Sequence, residues 1–427
     1  MTHRKLARRD VLKGVAAAAA GVVVAPRVSR AQAPLEIEYW QYTFDTRVRA
    51  MNELIEQFQA ANPGIRVKHQ NFPYGQYRAK VATAIPAGEG PEVVQLFYGW
   101  LDDYVRADLL KPLDTGAFDP AVVDREFFPS VQAMKRDGKY YGIPTAVRSL
   151  ALIWNKKLFR DAGLNPDQPP TTLDAYVQMA QRLTQRDGQG NLTVEGTTIA
   201  PEGQDLGWYR EGLVRQFGGR PYSDDARQVM YNSEAGVNAM KWYTDLFKTH
   251  RVGEQGFMQE QPAAFRAGRA ALSIDGSFRV GAYTATRGLE FGVGELPTHN
   301  NVKSNYASYW VNGISSKATG AKLEAAQKFL AFVTTADAMN LWLRVVGELP
   351  ARVASAMRPE NANHPHFGPF IKGLEYAVAT RFVQEDQQRD VLINAIDRIR
   401  LQNQAVAASV AQAATEEQTL LDRFYRG

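Results

Sequence analysis

The 427-residue chain contains no cysteine. That excludes disulfides, thiolate metal sites, cysteine nucleophiles and the cysteine-linked lipid anchor that some exported proteins carry. Histidines number six, and their only close pair, His364-Pro365-His366, has a proline between its members and no nearby side chain to complete a metal set, so it reads as a loop. The sequence has no G-x-S-x-G, no H-E-x-x-H and no phosphate loop. Asp102-Asp103 could be read as the carboxylate pair of a glycoside hydrolase. Adjacent helical residues point about 100° apart, however, and a solvated helix start is the better reading. Long apolar runs are missing too. The one from Gly14 to Ala25 is shorter than the roughly 20 residues a bilayer requires.

An excess of charge is missing as well. Residues 1–33 hold Arg4, Lys5, Arg8, Arg9, Lys13, Arg27 and Arg30 against Asp10 alone. Without these seven cations and one anion, the chain's 50 basic and 45 acidic residues become 43 and 44. Nucleic-acid binding therefore has no electrostatic footprint beyond the N-terminus. Arg8-Arg9-Asp10-Val11-Leu12-Lys13 resembles the twin-arginine export motif, with Val11 where a bulkier Phe is commoner. Residues 1–33 are expected to be a signal peptide cut after Ala31 or Ala33, leaving a protein free in the bacterial periplasm without a lipid anchor.

What is present belongs to a globular chain. Aromatics make up 11% and charged residues 22%, and the length suits about two to three domains. Leu35 to Trp40 alternates as a strand. A helix from about Thr46 carries Val48, Met51, Leu54, Ile55 and Phe58 on one face and stops at Asn62-Pro63-Gly64. Ile65, Val67 and His69 alternate again, a helix with Tyr77, Val81 and Ile85 follows, and Val93 to Phe97 reads as a strand covered on both faces. Strand–helix–strand–helix–strand predicts a parallel sheet wrapped by helices. Ligands of open α/β sheets bind beyond the carboxyl ends of the strands. Those ends here are Trp40-Gln41-Tyr42 and Tyr98-Gly99-Trp100.

Asn305 to Arg352 combines an aromatic strand (Tyr306 to Ile314), two amphipathic helices and an exit at Gly347-Glu348-Leu349-Pro350-Ala351-Arg352, where Gly347 can end a helix in the left-handed conformation. Gly138-Lys139 is a hairpin turn before the stiff Ile143-Pro144. Asp187-Gly188-Gln189-Gly190-Asn191, with Glu195 beyond it, faintly resembles a calcium loop, but a plain polar hairpin is preferred. Gly207-Trp208-Tyr209 reads as a turn bearing two rings.

Gly88-Glu89-Gly90-Pro91, Leu109-Leu110-Lys111-Pro112-Leu113-Asp114, Tyr141-Gly142-Ile143-Pro144 and Trp154-Asn155-Lys156-Lys157-Leu158-Phe159 follow one another. Further on come Phe265-Arg266-Ala267-Gly268-Arg269-Ala270, Gly294-Glu295-Leu296-Pro297 and the exit at Gly347. In this order and spacing they resemble the extracellular solute-binding proteins of family 1, the sugar-binding components of ABC importers, over essentially all of residues 35–427. The resemblance implies an α/β, two-lobed periplasmic-binding-protein fold (type II-like). Each lobe would be a mostly parallel sheet flanked by helices, with the ligand cleft between the lobes. Residues 34–144 plus 305–347 would form one lobe and 145–300 plus 350–427 the other, with hinge crossings near Pro144, between Pro297 and Asn305, and near Gly347 to Ala351. It further implies a monomer that is not an enzyme, needs no cofactor or metal, and has a carbohydrate ligand and a membrane permease as partners.

Sugar recognition needs flat rings for pyranose C–H faces and planar polar groups for hydroxyls. Trp40, Tyr42, Tyr98, Trp100, Trp208, Tyr209, Phe278 and Trp310 could provide the rings. Arg148, Asp275, Ser277, Asn312 and Arg352 could provide the polar groups. Alternatively, Arg148 and Arg352 could clamp the phosphate of glycerol 3-phosphate or a related polyol. A carbohydrate-active hydrolase is the rival class.

Overall fold

In chain order the longer strands are β1 (Leu35–Tyr42), β2 (Ile65–Phe72), β3 (Val93–Phe97), β4 (Ile143–Asn155), β5 (Leu192–Thr197), β6 (Ala270–Gly276), β7 (Phe291–Gly294) and β8 (Asn305–Ser315). The helices that matter below are α1 (Asp45–Ala61), α2 (Tyr74–Ala84), α3 (Leu173–Leu183), α4 (Glu234–Lys248), α5 (Gly320–Val333), α6 (Ala336–Val346), α7 (Glu385–Leu401) and α8 (Val406–Arg426). The computed structural model describes residues 33–426, and Pro34–Gly427 makes up one compact unit. The twin-arginine motif and its apolar run lie outside the described residues.

The opening β–α–β–α–β reading matches the structure. β1 runs parallel to β2 on one side and to β3 on the other, with α1 and α2 as the crossovers. Helix α1 buries Met51, Leu54, Ile55 and Phe58, the stripe that its three- and four-residue spacing sets out. The first four residues of β3 are buried without alternation, as a strand covered on both faces requires.

β4, 13 residues long, and β8, 11 residues long, carry the sheet onward. β8 lies antiparallel between β3 and β4. The far half of β4 pairs antiparallel with β6 and β7, and β6 is parallel to β5. The sheet therefore runs β2-β1-β3-β8-β4-β6-β5. Among these longer strands it is parallel towards both ends and antiparallel in the middle, because β8 re-enters the sheet from the far end of the chain, a reversal that no local pattern announces. The short strand Gln185–Arg186 adds an antiparallel edge beyond β5.

Two main cores result. The first gathers Tyr39, Leu96, Phe58, Phe329, Leu330, Met339 and Trp342 from β1, β3, α1, α5 and α6. In the second, Leu150, Leu152 and Trp154 of β4 meet Leu272 and Ile274 of β6, Tyr176 of α3, Met240 of α4, Leu392 of α7 and Val410 of α8. The intervening residues Ala151 and Ile153 belong to the first core, so the alternating faces of β4 serve both cores.

Several local readings hold in detail. Gly347 closes α6 at φ 80°, a conformation that costs a β-carbon-bearing residue about 1–2 kcal/mol. Asp137 and Gly138 both take positive φ between the short strands Lys135–Arg136 and Lys139–Tyr140, which suits a tight hairpin. Asp187 accepts hydrogen bonds from the backbone of Gln189 and Asn191 and from the Asn191 amide, so its carboxylate is committed to its own turn. His364 Nδ1 accepts from the backbone N–H groups of His366 and Phe367.

One reading needs correcting. Gly207-Trp208-Tyr209 is not a turn but part of a helical stretch, residues 204–216, that is π-helical over Trp208–Leu213. Gly207 is there for proximity rather than reversal. A β-carbon on it would come within 2.2 Å of the Tyr306 ring on β8.

Candidate functional site

A cleft of about 780 Å³ opens where β4 and β8 pass between the two cores, a volume in the range of small-ligand sites. Its first wall is aromatic. Tyr42 ends β1, Phe97 ends β3, Tyr74 starts α2 and Trp310 sits on β8. The Tyr42 and Trp310 rings lie 4.2 Å apart, Tyr74 is 5.3 Å from Tyr42, and Phe97 is 5.8 Å from Trp310. Tyr42 and Phe97 stand at the carboxyl ends of parallel strands, where ligands of open sheets bind, and Trp310 pairs with Phe97 from the antiparallel β8.

The facing wall is polar. Two guanidinium groups lie near the Phe278 ring, Arg148 at 5.2 Å and Arg279 at 4.7 Å. Arg279 Nε donates to Asp275 at 2.9 Å. The π-helical turn presents Arg210 to the cleft, and Arg210 Nη2 donates to the Gln388 carbonyl at 3.2 Å. Glu385, at the start of α7, accepts from Arg389 at 2.7 Å. Burial lifts the Glu385 carboxyl to about 7, helped by its contact with Asp386 and opposed by Arg389 and Arg78.

Behind this wall Glu348 accepts from Arg47 and from Trp342 Nε1 at 2.9 Å, with Arg148 Nε 3.6 Å away. Burial alone would raise the Glu348 carboxyl, but Arg47 and Arg148 outweigh it and hold the group below its ordinary value. The glutamate of the Gly347 exit thus joins α1 to the strand that bears Arg148.

Of the thirteen candidate residues, Tyr42, Arg148, Asp275, Phe278 and Trp310 line the cleft. The other eight do not. Trp40 sits two residues back from the edge of β1, where its ring packs on Phe72 at 4.8 Å and Tyr77 donates to its carbonyl. Tyr98 is stacked on Tyr309 at 4.7 Å and hydrogen-bonds Tyr306. Trp100 stands edge-on behind Trp310 at 5.2 Å. Trp208 packs among Tyr176, Trp242 and Tyr243 in the second core, and Tyr209 is fully buried beside it. Ser277 is buried under the next helical turn. Asn312 ties Tyr39 to Thr145. Arg352 pairs with Glu126 and donates to the Thr334 carbonyl, so it cannot act as one arm of a clamp with Arg148. The Asp102-Asp103 pair opens a helix, as read, but it is not solvated throughout: Asp102 is buried and held by Arg136 and Arg381, and Asp103 pairs with Arg78, so both sit in ion-pair networks.

The residues that sequence reasoning missed divide by signal. Tyr74 and Phe97 follow from the carboxyl-end rule, which applies to β2 and to the residue before Tyr98 as well. Tyr306 lay in the aromatic strand already singled out. Arg210, Glu385, Arg389 and Phe382 also line the cleft but sit far from it in sequence, and no local pattern marks them.

The profile of the bacterial extracellular solute-binding proteins matches residues 53–369 of this chain. The maltotriose-binding protein of Pyrococcus abyssi is 22% identical over 355 residues, covering 80% of this chain and 72% of that protein. The galactooligosaccharide-binding protein of Bacillus subtilis is 26% identical over 307 residues, covering 69% and 68%. Among solved structures, the cyclic α-maltosyl-1,6-maltose binding protein of Arthrobacter globiformis superposes with a TM-score of 0.79 at 19% identity, covering 91% of this chain and all of that one. The fold is therefore the two-lobed periplasmic-binding-protein fold with its cleft between the lobes.

Proposed function

Because this chain belongs to the bacterial extracellular solute-binding proteins, we propose that it captures a carbohydrate by closure of two lobes and delivers it, chemically unchanged, to the membrane subunits of an ABC importer. The observation that carries this is the pairing of walls in one cleft. The Tyr42–Tyr74–Trp310 surface supplies ring faces for pyranose C–H groups, and Gln204, Asp275 and Glu385 opposite supply planar acceptors and donors for hydroxyls. The maltotriose- and galactooligosaccharide-binding relatives support a saccharide as the guest.

The lobes are 34–144 plus 305–347 and 145–300 plus 350–427, and β4 and β8 are the strands between them that must flex. Supporting this division, β8 returns the chain from residue 305 to pair with β3 of the first lobe, and β4 continues from β8 into the strands β6 and β7 of the second. A ligand touching both walls stabilises the closed arrangement by its greater affinity for it. Site of action and export follow from the sequence: the twin-arginine motif supports the periplasm, and the protein works there as a monomer.

The test is calorimetric titration with malto- and galacto-oligosaccharides, with product analysis after prolonged incubation. Saturable binding with intact sugar recovered is the expected result. Turnover, or binding by no saccharide or polyol, neutral or acidic, overturns the reading.

A further inference from the structure

Arg148 stands on the cleft wall, its side chain 14% exposed, yet among the described residues none of its nitrogens makes a hydrogen bond, and Nε is buried without a partner. Its nearest carboxylate oxygen, Glu348 Oε1, is 3.6 Å away and is already the acceptor for Arg47. The other Glu348 oxygen accepts from Trp342. One carboxylate therefore serves two guanidinium groups. Every other arginine on this wall pairs with a carboxylate that serves no second arginine of the wall: Arg279 with Asp275, Arg389 with Asp386 as well as Glu385, and Arg210 with Glu417. Glu202 and Glu260 lie exposed at the rim, in no ion pair among the described residues.

A hydroxyl could accept from Arg148 but would leave this surplus positive charge standing in a partly desolvated place, where an unbalanced charge is costly. An anion cancels it. The guanidinium carbon lies 5.2 Å from the centre of the Phe278 ring, and the planar guanidinium fork matches the two oxygens of a carboxylate or phosphate.

We infer that the ligand carries an anionic group, a carboxylate or a phosphate, and that Arg148 receives it. This rests on the reading of the cleft as a saccharide or polyol site and narrows its substrate class to acidic members. Arg352, committed to Glu126, takes no part.

The test is calorimetry on the purified full-length chain with matched pairs: trigalacturonate against the neutral galactotriose of the same linkage, and glycerol 3-phosphate against glycerol, with maltotriose as a further neutral probe. One charged member is expected to bind roughly tenfold or more tighter than its neutral counterpart, with the preference shrinking as salt is added. Which pair shows it separates carboxylate from phosphate. Arg148→Gln should abolish the preference, and Arg148→Lys should keep part of it. Neutral members binding as tightly as charged ones, or Arg148→Gln costing both equally, overturns the inference and leaves the function standing. Binding by none of the probes overturns both. The wild-type comparison decides even if a variant fails to fold.

Discussion

Trp310 holds the aromatic wall together at the residue scale. Tyr42 and Tyr74 flank it at 4.2 and 6.2 Å, and Trp100 supports it edge-on. Trp310→Ala removes the largest stacking face and is expected to weaken saccharide binding about tenfold to a hundredfold by calorimetry, since aromatic contact is worth about 1–3 kcal/mol when buried against a ring. Trp208→Phe, buried in the second core, should lower the melting temperature and leave affinity alone. Glu195 is a different case. Burial pushes its carboxyl up to about 9, and Oε2 has no partner among the described residues. The native state thus holds a proton that the unfolded chain releases, so this group's stability contribution is lost as pH rises from about 4.5 to about 9. Glu195→Gln is expected to stabilise the protein at pH 8 by about 1–3 kcal/mol and to flatten the melting-temperature profile across that window.

At the scale of elements, helices press on the two shared strands. The helical stretch 204–216 approaches β8 so closely at Gly207 that a methyl group would overlap the Tyr306 ring. Gly207→Ala is expected to cost about 1–3 kcal/mol in urea unfolding and to displace Arg210 and Gln204 from the cleft, reducing affinity as well. Helices α2 and α7, which pack on different cores, are joined by Arg78, which pairs with both Asp103 and Asp386. Arg78→Ala should leave association unchanged and speed ligand release about two- to fivefold in stopped-flow, the effect of one partly exposed ion pair.

At the scale of the whole molecule, β4 is a 13-residue strand that pairs with β8 along one half and with β6 and β7 along the other, so the hinge proposed above is continuous sheet rather than a loose linker. Such a hinge bends over a small range and returns. Saccharide at about 100-fold its dissociation constant is expected to raise stability by about 2.7 kcal/mol and to shrink the radius of gyration in small-angle scattering. Stabilisation without contraction would remove closure from the mechanism and leave capture intact.

Local patterning was enough for the first five elements, the hairpin at Gly138, the αL stop at Gly347 and the order of motifs that placed the chain in its family, because each depends on residues near in sequence. It also located Tyr42, Arg148, Asp275, Phe278 and Trp310. Trp40, Trp208, Tyr209 and Arg352 have the same composition signals but point elsewhere, since a side chain's face is set by strand register and by the helix packed over it. Arg210, Glu385 and Arg389 reach the cleft from helices far along the chain, and Arg148 becomes short of an anion only because Arg47 arrives from α1 to take the same carboxylate. Period and spacing determined which elements form and what kind of protein they make. Tertiary packing alone decided which charges meet, and a charge balance summed over distant segments has no signature in any one of them.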